Sequence, residues 1–388
     1  MNSRLAAQRQ IRAVYILGFL FSVHAVLPVY IGSTFLSTIT TENHVGVIYI
    51  VASLISTLSF VGIVAYLKRF GNFRVMQWLL AIEFLAFATL SLSNRPELLI
   101  GAFIIMLVTG ALIGFNLDIF LEKYSDDKTT GSVRGSFLSI VNIAWIITPL
   151  IVSFLLTDHD YWKVYALGTV LLLPIWFLAR ESFRTFNDPP YSHNAILETV
   201  RKVFKDGNLY RIMMSNILLN FFFAWMVIYM PLYLHNHIGL AWSQIGVILT
   251  IMLFPFVILE APLGKIADKW LGEKEILSIG FVIISITTIA TSFVTSSNMW
   301  VWAAVLFLTR VGASMVEVMN ETYFFKKTRD RDASVVSLFR MTRPISYTIA
   351  PIVASLILSL GSIDTLFAVL GVIILYGLRY SLTLVDTK

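Results

Sequence analysis

The chain has 388 residues, 57% of them hydrophobic and 13% charged, with no cysteine and a formal net charge of +6. A soluble domain carries about 25% charged residues, so this composition, with a mean hydropathy of +0.79, argues against a soluble protein, and the missing thiols exclude disulfides, thiolate metal sites and cysteine nucleophiles. The positive balance, which in a soluble chain could mean nucleic acid, in a membrane protein reports which loops face the cytoplasm, and no nucleic-acid partner is expected.

Met1 to Arg12 carries Arg4, Arg9 and Arg12 and leads into an apolar run. That run, Val14 to Ile39, is too long for a signal-peptide core and lacks a small-residue cleavage site, so it reads as an uncleaved first span. Counting it, twelve apolar spans run in order: 11–39, 43–67, 73–94, 97–122, 132–157, 161–182, 208–236, 242–267, 273–296, 299–325, 332–358 and 362–383. Each can cross a hydrocarbon core of about 30 Å as a helix. Period-2 alternation is absent, which excludes a barrel, and lipid leaves helices as the form that satisfies the backbone. The predicted fold is an all-α polytopic membrane protein, with twelve transmembrane helices in two pseudo-symmetric six-helix bundles, 1–182 and 208–388. The linker 183–207 opens with the helix-breaking Asn187-Asp-Pro-Pro190. It then places Ile196, Leu197, Val200, Val203 and Phe204 on one helical face and Glu198, Arg201, Lys202 and Lys205 on the other, which predicts an amphipathic surface helix.

With the N-terminus inside, the cytoplasmic segments hold 24 Lys and Arg and the outer loops hold only Arg95 and Lys163. The positive-inside rule then predicts a cell-membrane protein with both termini cytoplasmic. Trp162, Trp242, Trp300 and Trp302 fall at the outer interface and Trp78 and Trp270 at the inner one, an aromatic belt. The halves also repeat. At an offset of 202, Gly62 meets Gly264, Ala65 meets Ala267, Gly110-Ala111 meets Gly312-Ala313, Val133 meets Val335 and Ile143 meets Ile345, while Pro28 meets Pro231 at 203. Gly110-x-x-x-Gly114 allows close helix packing. Two parallel halves suit alternating access about a central site.

One charged island, Gly264-Lys-Ile-Ala-Asp-Lys-Trp-Leu-Gly-Glu-Lys274, resembles the Gly-x-Leu-Ala-Asp-Arg-x-Gly-Arg-Arg loop of the major facilitator superfamily, with one extra residue before Gly272. The six-plus-six plan and long central loop extend the resemblance over nearly the whole chain. The first-half copy, Gly62-Ile-Val-Ala-Tyr-Leu-Lys-Arg-Phe-Gly71, has Tyr66 where Asp268 stands. The Gly-Pro-x-x-x-Gly pattern of drug–proton antiporters is missing, so the subfamily is not assigned. The resemblance implies a gate latch of Gly264, Asp268, Lys269 and Gly272. Asp268 would meet the start of the fifth helix, Gly131 to Gly135, where the positive end of the helix dipole favours an anion; the plainer reading is a tight basic turn with one neutralising acid.

Ionisable groups inside spans face a cavity or a partner. Asp118 and Glu122 on the fourth span are expected to meet Arg134 on the fifth. Glu317 and Glu321 on the tenth are expected to meet Arg340 or Arg343 on the eleventh. These groups act either as structural latches or as proton carriers. Arg310 and Glu317, nearer the midplane, are candidates for substrate contact or coupling, and Arg310 suits an anionic substrate. His24 is a further candidate because imidazole titrates near neutral pH, with hydrogen-bonded packing as the commoner role. The resemblance adds Asn216, Asn220, Trp225 and Tyr229, because the first and seventh helices line the family's cavity. Glu83 and Glu260 are further buried acids, and His235-x-His237 lacks metal-site company.

The reading is a secondary active transporter of a small solute, proton-coupled, with amphiphilic compounds or organic anions as substrates and efflux as one direction. Its expected partners are the substrate, protons and the lipid bilayer, and it is expected to work as a monomer. No nucleotide loop, metal-ligand cluster or nucleophile–base spacing marks an enzyme, and no cofactor or metal is expected. The alternatives are a non-transporting membrane receptor or a lipid scramblase on the same fold.

Overall fold

The computed structural model describes residues 2–29, 31–40, 42–125, 130–156, 160–189, 191, 196–328, 333–358 and 363–387. Lys128, Arg329, Arg331, Pro190 and Lys388 lie outside the described residues, as do the side chains of Arg4, Ile196, Leu197, Pro231, His235 and Trp242. The described regular structure is helical throughout. The first span, expected as one helix, is two: α1 (Asn2–Val26) and α2 (Gly32–Ile39). Pro28 has no N–H and cannot continue the helical ladder, so the chain turns there and the Gly32 amide donates back to the Pro28 carbonyl at 2.7 Å.

The rest of the first half is α3 (Glu42–Phe70), α4 (Asn72–Leu92), α5 (Pro96–Tyr124), α6 (Thr130–Leu155) and α7 (Tyr161–Phe183). The linker forms α8 (Ile196–Lys205). Its Thr199 and Val203 are buried and Glu198, Arg201, Lys202 and Lys205 are exposed. Phe204 is exposed and leans on Tyr210 with ring centroids 5.1 Å apart. The second half is α9 (Gly207–Asn236), α10 (Trp242–Lys269), α11 (Glu273–Thr291), α12 (Met299–Lys327), α13 (Ala333–Leu358), α14 (Ile363–Leu375) and α15 (Gly377–Leu382). The twelfth span thus breaks into α14 and α15. The ladder tightens where the Tyr376 amide donates to Ile373 at 3.2 Å, and Gly377, lacking a Cβ, admits the Phe281 ring.

Eleven stretches of described helix are long and apolar enough to cross a membrane, and α1 with α2 supplies the remaining span. The chain is an all-α polytopic membrane protein. Its spans expose large apolar side chains such as Leu58 at 70% and Phe177 at 67%. Apolar surface of that extent is stable against lipid and not against water. Trp78, Trp162, Trp270 and Trp300 are exposed. Trp302 departs from the expected belt. It is fully buried, packs on Tyr233, and donates to the Ser296 carbonyl at 2.8 Å, so its indole N–H is satisfied inside the protein.

The chain forms two compact units, each built mainly from one half. The first takes Met1–Ser125 and Ile143–Thr199, and adds Arg329–Pro344 from the second half. The second takes Val200–Thr328 and Ile345–Lys388, and adds Asp126–Asn142 from the first half. Each half therefore lends the opening turns of its fifth helix, α6 or α13, to the unit of the other.

Candidate functional site

In the second unit the lent start of α6 lies along α10. The two helices approach closely because glycines face each other. A Cβ on Gly131 would stand 2.7 Å from the Gly264 carbonyl oxygen, and one on Gly135 would stand 2.5 Å from that of Glu260. A Cβ on Gly264 would in turn overlap the Gly131 carbonyl. Gly131 and Gly135 form a small-xxx-small face of the kind that brings helices into backbone contact. Polar bonds stitch the same seam. The Ser132 amide donates to Asp268 Oδ2 at 2.8 Å, the Ala261 amide to Ser139 Oγ at 3.1 Å, and Asn142 Nδ2 to Glu260 Oε2 at 2.9 Å. Ser132 lies in the first turn of α6, where the N–H groups lack helical partners and an anion is favoured.

Behind Asp268 stands Lys326, near the end of α12. Its ammonium is 2.8 Å from Asp268 Oδ1 and 2.7 Å from Glu273 Oε1. Glu273 is fully buried in the first turn of α11 and also accepts from the Thr387 hydroxyl at 2.7 Å. Arg134, on the same turns of α6, is 1% exposed. Its guanidinium lies 3.3 Å above the Phe325 ring centroid, a cation–π contact, and 4.0 Å from Glu321. Lys265, Lys269 and Arg343 are exposed.

In the first unit the lent start of α13 makes the reciprocal contacts. Arg340 grips Asp118 of α5 with two parallel hydrogen bonds, Nε to Oδ2 at 2.6 Å and Nη2 to Oδ1 at 2.9 Å. Such forked pairing fixes orientation as well as charge. The Ser337 hydroxyl donates to the Phe60 carbonyl. Glu122, one turn on from Asp118, is half-buried. Acids of the same half were the expected partners; the acids met here, Asp118 by Arg340 and Glu321 by Arg134, come from the other half. The physical reason is the exchange of opening turns, which carries each arginine into the opposite unit.

A second device recurs in both units. Gly71 and Gly272 have φ of +82° and +88°, a region where a side chain is strained, and each precedes the third long helix of its half. An amide one or two residues on is capped by an acid from the segment after the half's last helix. Asn72 N donates to Asp188 at 2.7 Å, and Lys274 N donates to Asp386 at 2.9 Å.

The deeper candidates separate. His24 is fully buried within its own bundle, its Nδ1 3.0 Å from the Gly168 carbonyl and its Nε2 3.2 Å from Glu83 Oε1. Thr109 donates to the other oxygen of Glu83. Trp225 is buried and donates to the Ala350 carbonyl at 2.6 Å. Asn216 and Asn220 are both 8% exposed and linked along α9, Asn220 Nδ2 donating to the Asn216 carbonyl at 2.8 Å. Tyr229 and Glu317 are half-buried. Arg310, 2% exposed, lies 4.8 Å from the Phe222 centroid and 6.0 Å from that of Phe223. Among the described residues, no group of three or more His, Asp or Glu is placed to hold a metal ion. Sequence reasoning missed Lys326, Glu273, Asp188 and Asp386 as latch or cap residues. The one available signal was an acid directly after Gly272, at a helix start.

No curated protein matches the chain. By fold it is similar to the crystal structure of the human organic anion transporter MFSD10 (TETRAN), with TM-score 0.75 and 13% identity over 97% of this chain and 99% of that one. A bacterial homologue of the iron transporter ferroportin, solved in an outward-facing state, matches with TM-score 0.75 and 14% identity over 96% of this chain and 98% of that one. The Major Facilitator Superfamily model matches residues 13–249 and 227–385. With its paired six-span halves and this family match over most of its length, the chain belongs to the Major Facilitator Superfamily and is a multi-pass membrane transporter.

Proposed function

We propose that the protein is a secondary transporter that works by alternating access and couples solute movement to protons. The observation that carries this reading is the exchange of opening turns. Each half lends the start of its fifth helix to the other unit, and the joins are a glycine-packed seam and a few charged pairs. Contacts of this kind have two discrete arrangements, made or broken, which alternating access requires. With the basic loops inside, the joins close the cytoplasmic side, and both termini are cytoplasmic in the cell membrane. The substrate is a small organic anion, with Arg310 as its charge partner and Asn216 and Asn220 as hydrogen-bonding neighbours. Support comes from the buried arginine and from the similarity to a human organic anion transporter.

Proteoliposomes with an imposed pH gradient and fluorescein as probe anion test the reading. Expected are fluxes that follow the gradient, collapse with a protonophore and fall in Arg310→Gln. Fluorescein flux indifferent to the gradient refutes proton coupling, and movement of labelled lipid without any gradient favours the scramblase.

A further inference from the structure

Glu260 differs from its neighbours Asp268, Glu273 and Glu321. Asp268 and Glu273 share Lys326 and Glu321 lies by Arg134, but no basic group stands within ion-pair distance of Glu260 among the described residues. It is fully buried. Its Oε2 accepts from Asn142, and its Oε1 is buried with no hydrogen-bond partner. The groups facing it from α6 are Asn142 and Ser139, with Arg134 further along held by Phe325 and Glu321. On α12, Glu317 and Glu321 are two further acids whose charge acts on it. An uncompensated carboxylate at membrane depth costs several kcal/mol, and like charges nearby add to that cost.

We propose that Glu260 is a proton-binding site controlled by the α6–α10 seam. The proton sits on Oε1 while the seam is closed and leaves to water when α6 and α10 part. The backbone of Glu260 is packed against Gly135, so the carboxyl cannot reach water while that glycine contact holds. Loss of the proton leaves a bare carboxylate repelled by two acids, and separation of the helices relieves it. The site deepens the proton coupling proposed above by naming the group that carries the proton. Its test reads the seam and not transport, so the two ideas can fail separately.

The chain lacks cysteine, so a single Ser139→Cys provides a unique thiol inside the seam, at a position that is 8% exposed. Its labelling by a water-soluble maleimide in lipid nanodiscs, divided by that of an exposed Phe204→Cys control, cancels the pH dependence of thiol chemistry. The ratio should rise with pH, by up to about tenfold per pH unit for one linked proton. In Glu260→Gln, which cannot lose a proton, it should stay low and flat. Glu260→Met, of similar volume and also neutral, serves as the second variant should Gln impair folding. A flat ratio in the parent, or the same rise in the neutral variants, overturns the proposal.

Discussion

Replacing Gly264 with Ala places one methyl group against a backbone that cannot rotate away. The new Cβ would lie 2.9 Å from the carbonyl carbon of Gly131 and overlap its oxygen. Non-bonded carbons rest at about 3.5–4.0 Å, so α6 and α10 must part by about 0.6–1 Å. The Ser132–Asp268 bond, 2.8 Å long, then approaches the limit of hydrogen bonding, about 3.5 Å. Losing a hydrogen bond to a charged group costs about 1.5–3 kcal/mol. With the added crowding, a shift of about 2–3 kcal/mol against the closed seam is expected, or about 30- to 150-fold in its population. The assay is maleimide labelling of Ser139→Cys, where Gly264→Ala should label far faster than the parent at every pH. The control is Gly62→Ala, its counterpart at offset 202, whose Cβ meets nothing within 4 Å. Equal labelling in the two alanine variants, with both folded, refutes the argument that backbone contact at Gly264 holds the seam.

Lys326→Met removes the ammonium shared by Asp268 and Glu273 and strands two buried acids; a loss of about 3–5 kcal/mol is expected, read as a fall in Tm larger than that of Asp268→Asn. Arg340→Lys keeps the charge but loses the forked grip on Asp118, so turnover should fall several-fold, about 1–2 kcal/mol, and Asp118→Asn/Arg340→Met together should be no worse than the more harmful single variant. Asp188→Ala and Asp386→Ala each remove the acceptor for a helix-start amide, and each should lower stability by about 1 kcal/mol in denaturant unfolding. Glu83→Gln keeps the shape of the His24 cluster and should leave folding and gradient-driven flux intact, whereas a loss of gradient dependence there would move the coupling site out of the second unit.

Much of the fold was legible because lipid leaves few choices. Apolar runs must be helices, and the basic loops order them. The meeting of Asp268 with the start of α6 was also legible, through the resemblance of its loop to that of the family, and a helix start is where an acid is favoured. Three things were hidden for physical reasons. The partners of Arg134 and Arg340 depend on which helix ends cross between halves, and a plan of acids on the fourth span and a base on the fifth in each half is silent on that. Lys326 counted as a loop charge, although it lies in the last turn of α12 with its side chain only 12% exposed. Gly62 and Gly264 look equivalent, yet only the second has a backbone against it. What a glycine permits is decided by the facing helix, which its own neighbours in sequence do not describe.

The two exchanged joins differ in chemistry, and the difference bears on where a proton can be carried. At offset 202 the seam glycines Gly131 and Gly135 correspond to Ala333 and Ser337. Both positions carry a Cβ, and the join there has side-chain bonds from Ser337 and Arg340. Bonds of that sort can lengthen one at a time. The glycine-packed seam of α6 and α10 instead loses its contacts together, because backbones in van der Waals contact have no slack. An acid sealed by such a seam is either closed off or reached by water, which is the behaviour a coupling site needs. The residue corresponding to Glu260 in the first half is Leu58, which is 70% exposed on the apolar outside of its helix. The repeat has therefore kept the joint in both halves but placed a buried acid at this position in only one, so the proton site proposed at Glu260 has no counterpart at position 58.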